Sequence, residues 1–145
     1  LNDIRVTIEQ IVHLIKLDKE LTSRIEFITE FEPNIPKILF DQEAIKQVLW
    51  NLIINSISAL RSKGYIKISV NVINDGVVIK IEDNGIGISK KKIKNIFNQF
   101  YSLKKNGMGM GLSIVKRIIE KHDWEIEVES VYKTGTIFKI IIPLG

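Results

Sequence analysis

The sequence predicts an α+β domain, a two-layer α/β sandwich in which a mixed, mostly antiparallel sheet is backed by helices. Helical and strand-like periodicities are intermixed along the chain rather than alternating as regular βαβ units. Asn74-Asp75-Gly76 separates two strand-like runs, and an Asp-Gly step is a strong hairpin signal. The chain has 145 residues, 45% of them hydrophobic, which suffices for one packed core. We therefore expect residues 1–145 to form a single domain.

The first forty residues predict a helix, a strand and an extended connection. Isoleucine and valine recur at helical spacing over residues 1–16, which indicates an amphipathic helix. From Arg24 to Phe31 apolar residues alternate at Ile25 and Phe27 and, less regularly, at Ile28 and Phe31, which favours a strand. Pro33 and Pro36 then force the chain into an extended connection.

A long helix should follow, with Asp41 as its N-cap and a last turn near Arg61. Gly64 comes directly after this basic last turn and is expected to stop the helix. The helix carries a broad apolar face that should be buried, formed by Ile45, Val48, Leu49, Leu52, Ile53, Ile57 and Leu60.

The rest of the chain predicts four strands and two helices. The strands are expected at Tyr65–Ile73, Val77–Glu82, Trp124–Val131 and Thr136–Pro143. The helices are a short basic one from Ser89 to about Phe97, and one from Gly109 or Met110 through Lys121. Loops are expected at Asp83–Ile88 and Asn98–Gly107, and a turn at Lys133-Thr134-Gly135.

Composition excludes several classes of function. The chain has no cysteine, which excludes a disulfide scaffold, thiol catalysis and a cysteine-based zinc site, and it permits a cytoplasmic location. No apolar run approaches the roughly eighteen residues of a membrane span, and the opening residues do not resemble a signal peptide. The net charge of +4 suits an anionic small ligand or an acidic partner. Nucleic acid is the weakest alternative, because basic and aromatic residues form no common stripe.

Glycine forms two clusters, Asp83-Asn84-Gly85-Ile86-Gly87-Ile88 after a strand and Gly107-Met108-Gly109-Met110-Gly111-Leu112 before a helix. Neither fits the dinucleotide-binding fingerprint or the P-loop. Closely spaced glycines let backbone amides approach an anion, and the N-terminus of the following helix attracts negative charge. Taken alone, each cluster is better explained by a tight turn with a helix cap than by a phosphate site.

Asn51 and Asn55 lie one turn apart in the middle of the long apolar helix. Asparagine is a poor helix former, so this pair needs a reason. One reason is structural, because each amide could pair with a buried loop carbonyl. The other is chemical, because amide oxygens suit a hard cation such as Mg²⁺.

Taken together, these segments resemble the catalytic and ATP-binding domain of sensor histidine kinases, in the GHKL superfamily. Asn51–Ile57, Asp83–Ile88, Phe97 with Phe100, and Gly107–Val115 are similar to the N, G1, F and G2 boxes, in the family's order and spacing. Gly135-Thr136-Ile137-Phe138 is similar to the last motif. The resemblance implies a Bergerat fold that binds ATP and Mg²⁺ and serves a two-component pathway.

The resemblance also implies roles for single residues around the metal and the base. Asn55 would coordinate Mg²⁺, and Asn51 would assist at the metal or the phosphates. Asp83 would accept a hydrogen bond from the adenine amino group, which selects against guanine. The remaining base contacts would come from Gly85, Gly87, Ile88, Leu112 and Thr136.

Phosphate binding is implied for the second glycine cluster and the segment before it. Lys104 would reach the phosphates as a point charge. Lys104 and Asn51 are the expected catalytic residues. The polyphosphate would be cradled by Gly107, Gly109 and Gly111, with Met108 and Met110 in the same loop. The chain departs from common family patterns at Ser58, Ser102, Met108, Asp123-Trp124 and Lys133.

The family's phosphoacceptor histidine is followed by an acidic residue and, four residues later, by a proline. His13 is followed by Leu14 and His122 by Asp123, and neither has that proline. The resemblance therefore implies that the phosphoryl group goes to a histidine on a separate dimerisation hairpin, expected before Leu1, and then to a response regulator. Two alternatives remain open. One is another GHKL ATPase or serine kinase, which usually carries a glutamate base where this chain has Asn51. The other is a degenerate, non-catalytic nucleotide-binding module.

Overall fold

The computed structural model describes residues 1–98 and 111–144. In these residues the strands are β1 (Ile25–Phe31), β2 (Gly64–Ile73), β3 (Gly76–Asp83), β4 (Glu125–Val131) and β5 (Gly135–Pro143). The helices are α1 (Ile4–Lys16), α2 (Lys19–Thr22), α3 (Gln42–Ala59), α4 (Lys90–Ile93) and α5 (Gly111–Lys121). The mixture of helices and strands confirms the predicted fold class.

The strands form one sheet in the order β1-β2-β3-β5-β4. β1 runs parallel to β2, and the other neighbouring pairs are antiparallel. The hairpin predicted at Asn74-Asp75-Gly76 joins β2 to β3, with Ile73 paired to Gly76. The last strand, β5, lies between β3 and β4, so Asp83 at the end of β3 pairs with Thr136.

One face of the sheet is covered by helices, and the core lies between the two layers. α3 packs against β2 and β3 and also contacts α1 and α5. All seven residues of its predicted apolar face are buried, with Ile45, Val48, Leu49, Leu52 and Ile53 fully inaccessible. The strands contribute alternate residues to the same cluster, among them Ile66, Ile68, Ile79, Ile81 and Phe138. α3 is therefore fixed along its length, which fixes the polar residues it carries.

α3 begins where the sequence predicts but ends earlier. Asp41 is the N-cap, and its side chain accepts a hydrogen bond from the Ala44 N–H at 3.1 Å. The expected end near Arg61 is wrong by two residues, because Leu60 already has an extended backbone. Gly64 is the first residue of β2 and not the helix stop. A Cβ there would lie 2.6 Å from Leu60 Cδ2 and 2.7 Å from Asn84 Oδ1, so the glycine serves close packing.

The basic helix expected to reach Phe97 is wrong in length, since α4 ends at Ile93. The chain continues in tighter turns, in which the Asn95 N–H donates to the Lys92 carbonyl and the Asn98 N–H to the Asn95 carbonyl. These turns bury Ile96 completely. The single-turn helix α2, which is capped by Asp18, was not predicted from the sequence. The predicted start of the last helix at Gly109 or Met110 lies outside the described residues.

Candidate nucleotide-binding site

One helix, one loop and one turn enclose a cavity of about 400 Å³ at the end of the sheet where β3 finishes. α3 forms one wall, the loop after β3 forms the second, and the β4–β5 turn forms the third. Five residues that the sequence implicates line it: Asn55, Asp83, Gly87, Ile88 and Thr136. The fold therefore brings together residues separated by up to 81 positions in the chain, the distance from Asn55 to Thr136.

Asp83 is the buried acidic group of this cavity, with 3% of its surface exposed. Its Oδ1 accepts a hydrogen bond from the Gly85 N–H at 2.8 Å. Burial raises the pKa of the Asp83 carboxyl above its usual value, while hydrogen bonding from Gly85, Ser56 and Thr136 opposes that shift. A carboxylate offers about four acceptor positions, so it retains capacity for a donor within the cavity.

Ser56 lies beside Asp83 and is fully buried on α3. Its hydroxyl interacts with the Asp83 carboxyl and opposes the rise in the pKa of that carboxyl. The sequence analysis grouped Ser56 with the N box but gave it no role.

Two glycines let the loop after β3 pass between its neighbours. Gly87 has φ +73°, and a Cβ there would lie 2.2 Å from the Val131 carbonyl oxygen. A Cβ on Gly85 would lie 2.5 Å from the Ala59 carbonyl oxygen. Side chains at either position would force the walls apart. Gly85 itself lines an adjoining cavity and not the cavity that contains Asp83.

Ser130, near the end of β4, joins the loop to the β4–β5 turn. Its Oγ accepts from the Ile88 N–H at 2.7 Å and donates to the Gly135 carbonyl at 3.0 Å. The Thr136 hydroxyl lies 2.7 Å from the same oxygen and completes the set as a donor. Thr136 is thus buried and held beside Asp83. Sequence reasoning missed Ser130, whose only signal is its place opposite Thr136 in a predicted hairpin.

Asn55 and Asn51 are both half-buried on α3. Within residues 1–98 and 111–144 neither amide makes a hydrogen bond, which argues against pairing with a buried loop carbonyl in that part of the chain. Asn55 lines the cavity, whereas Asn51 lies one turn earlier and does not line it. A free amide oxygen is a suitable Mg²⁺ ligand. The described residues hold no cluster of His, Cys, Asp and Glu that could bind a metal unaided.

The remaining implied residues fall partly outside the described chain. Lys104, Gly107, Met108, Gly109 and Met110 lie there, so their roles stay predictions. Gly111 is the first residue of α5 and is exposed. Leu112 is 9% exposed and belongs to the hydrophobic core, not to the wall of the cavity.

Other lining residues were not predicted from the sequence. Arg61 and Lys92 bring positive charge to the mouth of the cavity, and Tyr132 brings an aromatic ring that is 53% exposed. Phe97, implied by the F box, packs edge-to-face on Phe138 with ring centroids 6.5 Å apart. It therefore supports the core beneath the site.

The two histidines do not line this cavity. His122 lies at the end of α5, where its Nδ1 is 2.9 Å from the Ile118 carbonyl and its ring stacks on Trp124 at 4.6 Å. Its Nε2 is 3.6 Å from Asp41 Oδ2. These contacts give His122 a structural role in joining α5 to the start of α3.

Comparison with known proteins matches this chain to an ATPase family. The family described as "Histidine kinase-, DNA gyrase B-, and HSP90-like ATPase" matches residues 40–145. The chain therefore belongs to this ATPase family. The matched range contains every implied site residue.

Similar proteins include several kinases. The signal transduction histidine-protein kinase AtoS of Escherichia coli is 38% identical over 85% of this chain and 20% of its own length. Sporulation kinase C of Bacillus subtilis is 38% identical over 72% of this chain and 24% of its own length. The solved catalytic domain of histidine kinase ThkA has a TM-score of 0.85 at 30% identity, covering 97% of this chain and 91% of that one. The chain thus spans about a fifth to a quarter of these two curated relatives and nearly all of a solved catalytic domain.

Proposed function

We propose that residues 1–145 form the catalytic and ATP-binding domain of a sensor histidine kinase. The domain binds ATP with Mg²⁺ and transfers the γ-phosphoryl group to a histidine on a separate dimerisation hairpin. The observation that carries the proposal is the buried Asp83 carboxylate, which lines the same cavity as the amide-bearing Asn55. An acceptor for a base amino group and a ligand for a metal are thus held in one cavity.

Adenine recognition follows from the acceptor character of Asp83. The adenine amino group donates a hydrogen bond, whereas guanine presents an acceptor at the same position. The Gly85 N–H donates to Oδ1 and orients the carboxylate, which keeps acceptor capacity for the base. Ile88 and the methyl group of Thr136 offer apolar surface beside it.

Metal binding is assigned to Asn55, with Asn51 assisting at the metal or the phosphates. Mg²⁺ usually takes one or two protein ligands and completes its shell with water and phosphate oxygens. An unpaired amide on a rigid helix fits this requirement, because it is oriented before the ligand arrives. When bound, Mg²⁺ supplies charge neutralisation at the phosphates. Lys104 and the glycines from Gly107 to Gly111 are proposed to contact the same phosphates.

The nucleophile is proposed to come from outside this chain segment. His122 is engaged by Ile118, Trp124 and Asp41, and His13 lies on the exposed side of α1. A dimerisation and phosphoacceptor hairpin is therefore the proposed partner, with a response regulator as the next acceptor. A solved structure of ThkA contains the response regulator protein TrrA, at a TM-score of 0.83 and 28% identity over all of this chain and 41% of that one.

The second candidate is another ATPase or serine kinase of the same family. Such enzymes need a group that takes a proton from water or a hydroxyl. An amide cannot do so, and Asn51 holds the corresponding place on α3, which favours the histidine kinase. A degenerate module is disfavoured because Asn55, Asp83 and the glycine clusters implied for ATP binding are all intact in the sequence.

No helix of residues 1–98 and 111–144 has both the length and the apolar character to cross a membrane. We propose a cytoplasmic location, where ATP is available to the domain.

Two assays test the proposal. Calorimetry should show that ATP binds more tightly than GTP, and that Asp83→Ala weakens ATP binding about tenfold or more, the loss expected for a buried charge-assisted hydrogen bond. Equal affinities for ATP and GTP would contradict the base assignment.

The second assay follows phosphate from radiolabelled ATP. The domain alone should show negligible autophosphorylation and very slow hydrolysis, because it lacks an in-line nucleophile. Adding the kinase's own hairpin, on the same chain or as a separate protein, should give acid-labile label on the hairpin histidine. Strong label on His13 or His122, or rapid phosphate release without the hairpin, would favour the second candidate.

A further inference from the structure

A second cavity of about 410 Å³ adjoins the nucleotide-binding cavity. It lies between the α3–β2 connection, the loop after β3 and the β4–β5 turn. The two cavities share Arg61, Ile86 and Tyr132 as walls. The proposed function uses only the first of them.

The second cavity carries positive charge without compensation. Arg61, Lys63 and Lys133 line it, and no acidic residue does. In the part of the chain that the structure describes, none of the three cations forms an ion pair. Three uncompensated cations around one concavity raise the local concentration of anions.

The walls of this cavity are tied together by the backbone. The Ile86 N–H donates to the Ala59 carbonyl at 2.9 Å, and the Lys133 N–H donates to the Ile86 carbonyl. Asn84 Oδ1 accepts a hydrogen bond from the Tyr65 N–H at 2.8 Å, which fixes the orientation of the Asn84 side-chain amide. Such a frame is formed before a ligand arrives, so binding costs little ordering of the loops.

Arg24 supports the α3–β2 connection from its other side. Its Nη1 donates to the Leu60 and Ser62 carbonyls at 3.0 and 2.7 Å. Two carbonyl oxygens that would repel an anion are thereby neutralised. The connection carries Arg61 and Lys63, so Arg24 also holds these two cations in place.

Lys133 occupies a left-handed backbone conformation, with φ +69°. Glycine adopts this conformation without strain, whereas a residue with a Cβ does so at a cost. The lysine Nζ lies 5.8 Å from the centroid of the Tyr132 ring. The chain therefore tolerates backbone strain at Lys133, whose ammonium group lies over the Tyr132 ring in the wall that the two cavities share.

From these observations we infer that the second cavity binds a small polyanion bearing two or more phosphoryl groups. Arg61, Lys63 and Lys133 would contact the phosphoryl oxygens, and the amide of Asn84 would donate to them. The volume lies within the range of small-molecule sites, and a concave shape favours a small ligand over a flat protein surface. The shared walls couple this site to the nucleotide-binding cavity.

The test uses pyrophosphate as the probe and backbone amide NMR of the 145-residue chain. ADP and Mg²⁺ are present at saturation, so that the nucleotide-binding cavity is occupied; absence of ADP binding would contradict the proposed function and not this inference. Pyrophosphate should shift the amide signals of Lys63, Asn84, Tyr132 and Lys133 in a saturable manner. Acetate at equal ionic strength should leave them unchanged.

Matched variants identify the cations. Lys133→Gly removes the charge and relieves the backbone strain, so it should keep its melting temperature and bind pyrophosphate about threefold to fivefold more weakly. Lys63→Gln should weaken binding similarly, while Lys121→Gln, at the far end of α5, should not change it. Equal affinity in all variants, shifts confined to other residues, or tighter binding of an acidic peptide than of pyrophosphate would each overturn the inference.

Discussion

Replacing Gly87 by alanine tests the packing of the loop that carries the site. The left-handed backbone at φ +73° should cost an alanine about 1–2 kcal/mol. The added methyl group would lie 2.2 Å from the Val131 carbonyl oxygen and 2.8 Å from its carbon. Either the loop that carries Gly87 or the end of β4 must therefore move. Overpacking of this kind adds about 1–3 kcal/mol. The free energy of unfolding should therefore fall by about 2–5 kcal/mol.

The assay is thermal unfolding of the nucleotide-free protein, followed by circular dichroism. For a chain of this size, such a loss lowers the melting temperature by about 4–20 °C. The movement would also stretch the Ile88–Ser130 hydrogen bond, which spans the same contact, so ATP affinity should fall as well.

Gly111→Ala is the matched control, because no atom of residues 1–98 and 111–144 lies within 4 Å of its added Cβ and it begins a helix. That variant should be neutral or stabilised by about 0.5 kcal/mol. If Gly87→Ala unfolds at the same temperature as Gly111→Ala, the proposed close packing is wrong.

Three further variants test single contacts. The raised pKa of Asp83 stabilises the folded protein fully at pH values below the ordinary pKa of a carboxyl group, and this stabilisation is lost as the pH rises through the raised pKa. Asp83→Asn should abolish this pH dependence of the unfolding free energy in urea titrations of the nucleotide-free protein. Asn55→Ala should weaken Mg²⁺-dependent ATP binding in calorimetry and leave adenosine binding nearly unchanged, and equal loss for both ligands would contradict a metal role. Ser130→Ala should cost about 1–3 kcal/mol by leaving the Ile88 N–H unpaired, while Ser69→Ala on the open sheet face should stay within about 0.5 kcal/mol.

Periodicity and turn chemistry predicted most of the fold. The apolar spacing in α3 and the Asp-Gly step before β3 each determine a local structure, and the structure confirms both. The parallel pairing of β1 with β2 and the place of β5 between β3 and β4 were not predicted. These depend on contacts between distant segments, which a local pattern does not contain.

The site was predicted to the extent that its residues belong to recognisable motifs. Asp83, Gly87 and Thr136 lie in motifs, and the fold brings them to one cavity. Ser130 and Tyr132 do not, because their roles arise from the register of β4 against β5 and from the turn that follows. Leu112 was expected to contact the adenine base, but it is buried in the core because it lies on the apolar face of α5.

The insertion of β5 between β3 and β4 has a consequence for folding kinetics. β2 and β3 can form early, because they are joined by a tight turn. The other edge of β3 pairs with a strand that follows the whole α4–α5 segment, so a large loop must close first. Until then β3 presents the apolar run Val77–Ile79 along an unpaired backbone edge, which is a template for association with a second unfolded chain. Refolding yield should therefore depend on protein concentration in the period before the β4–β5 hairpin docks.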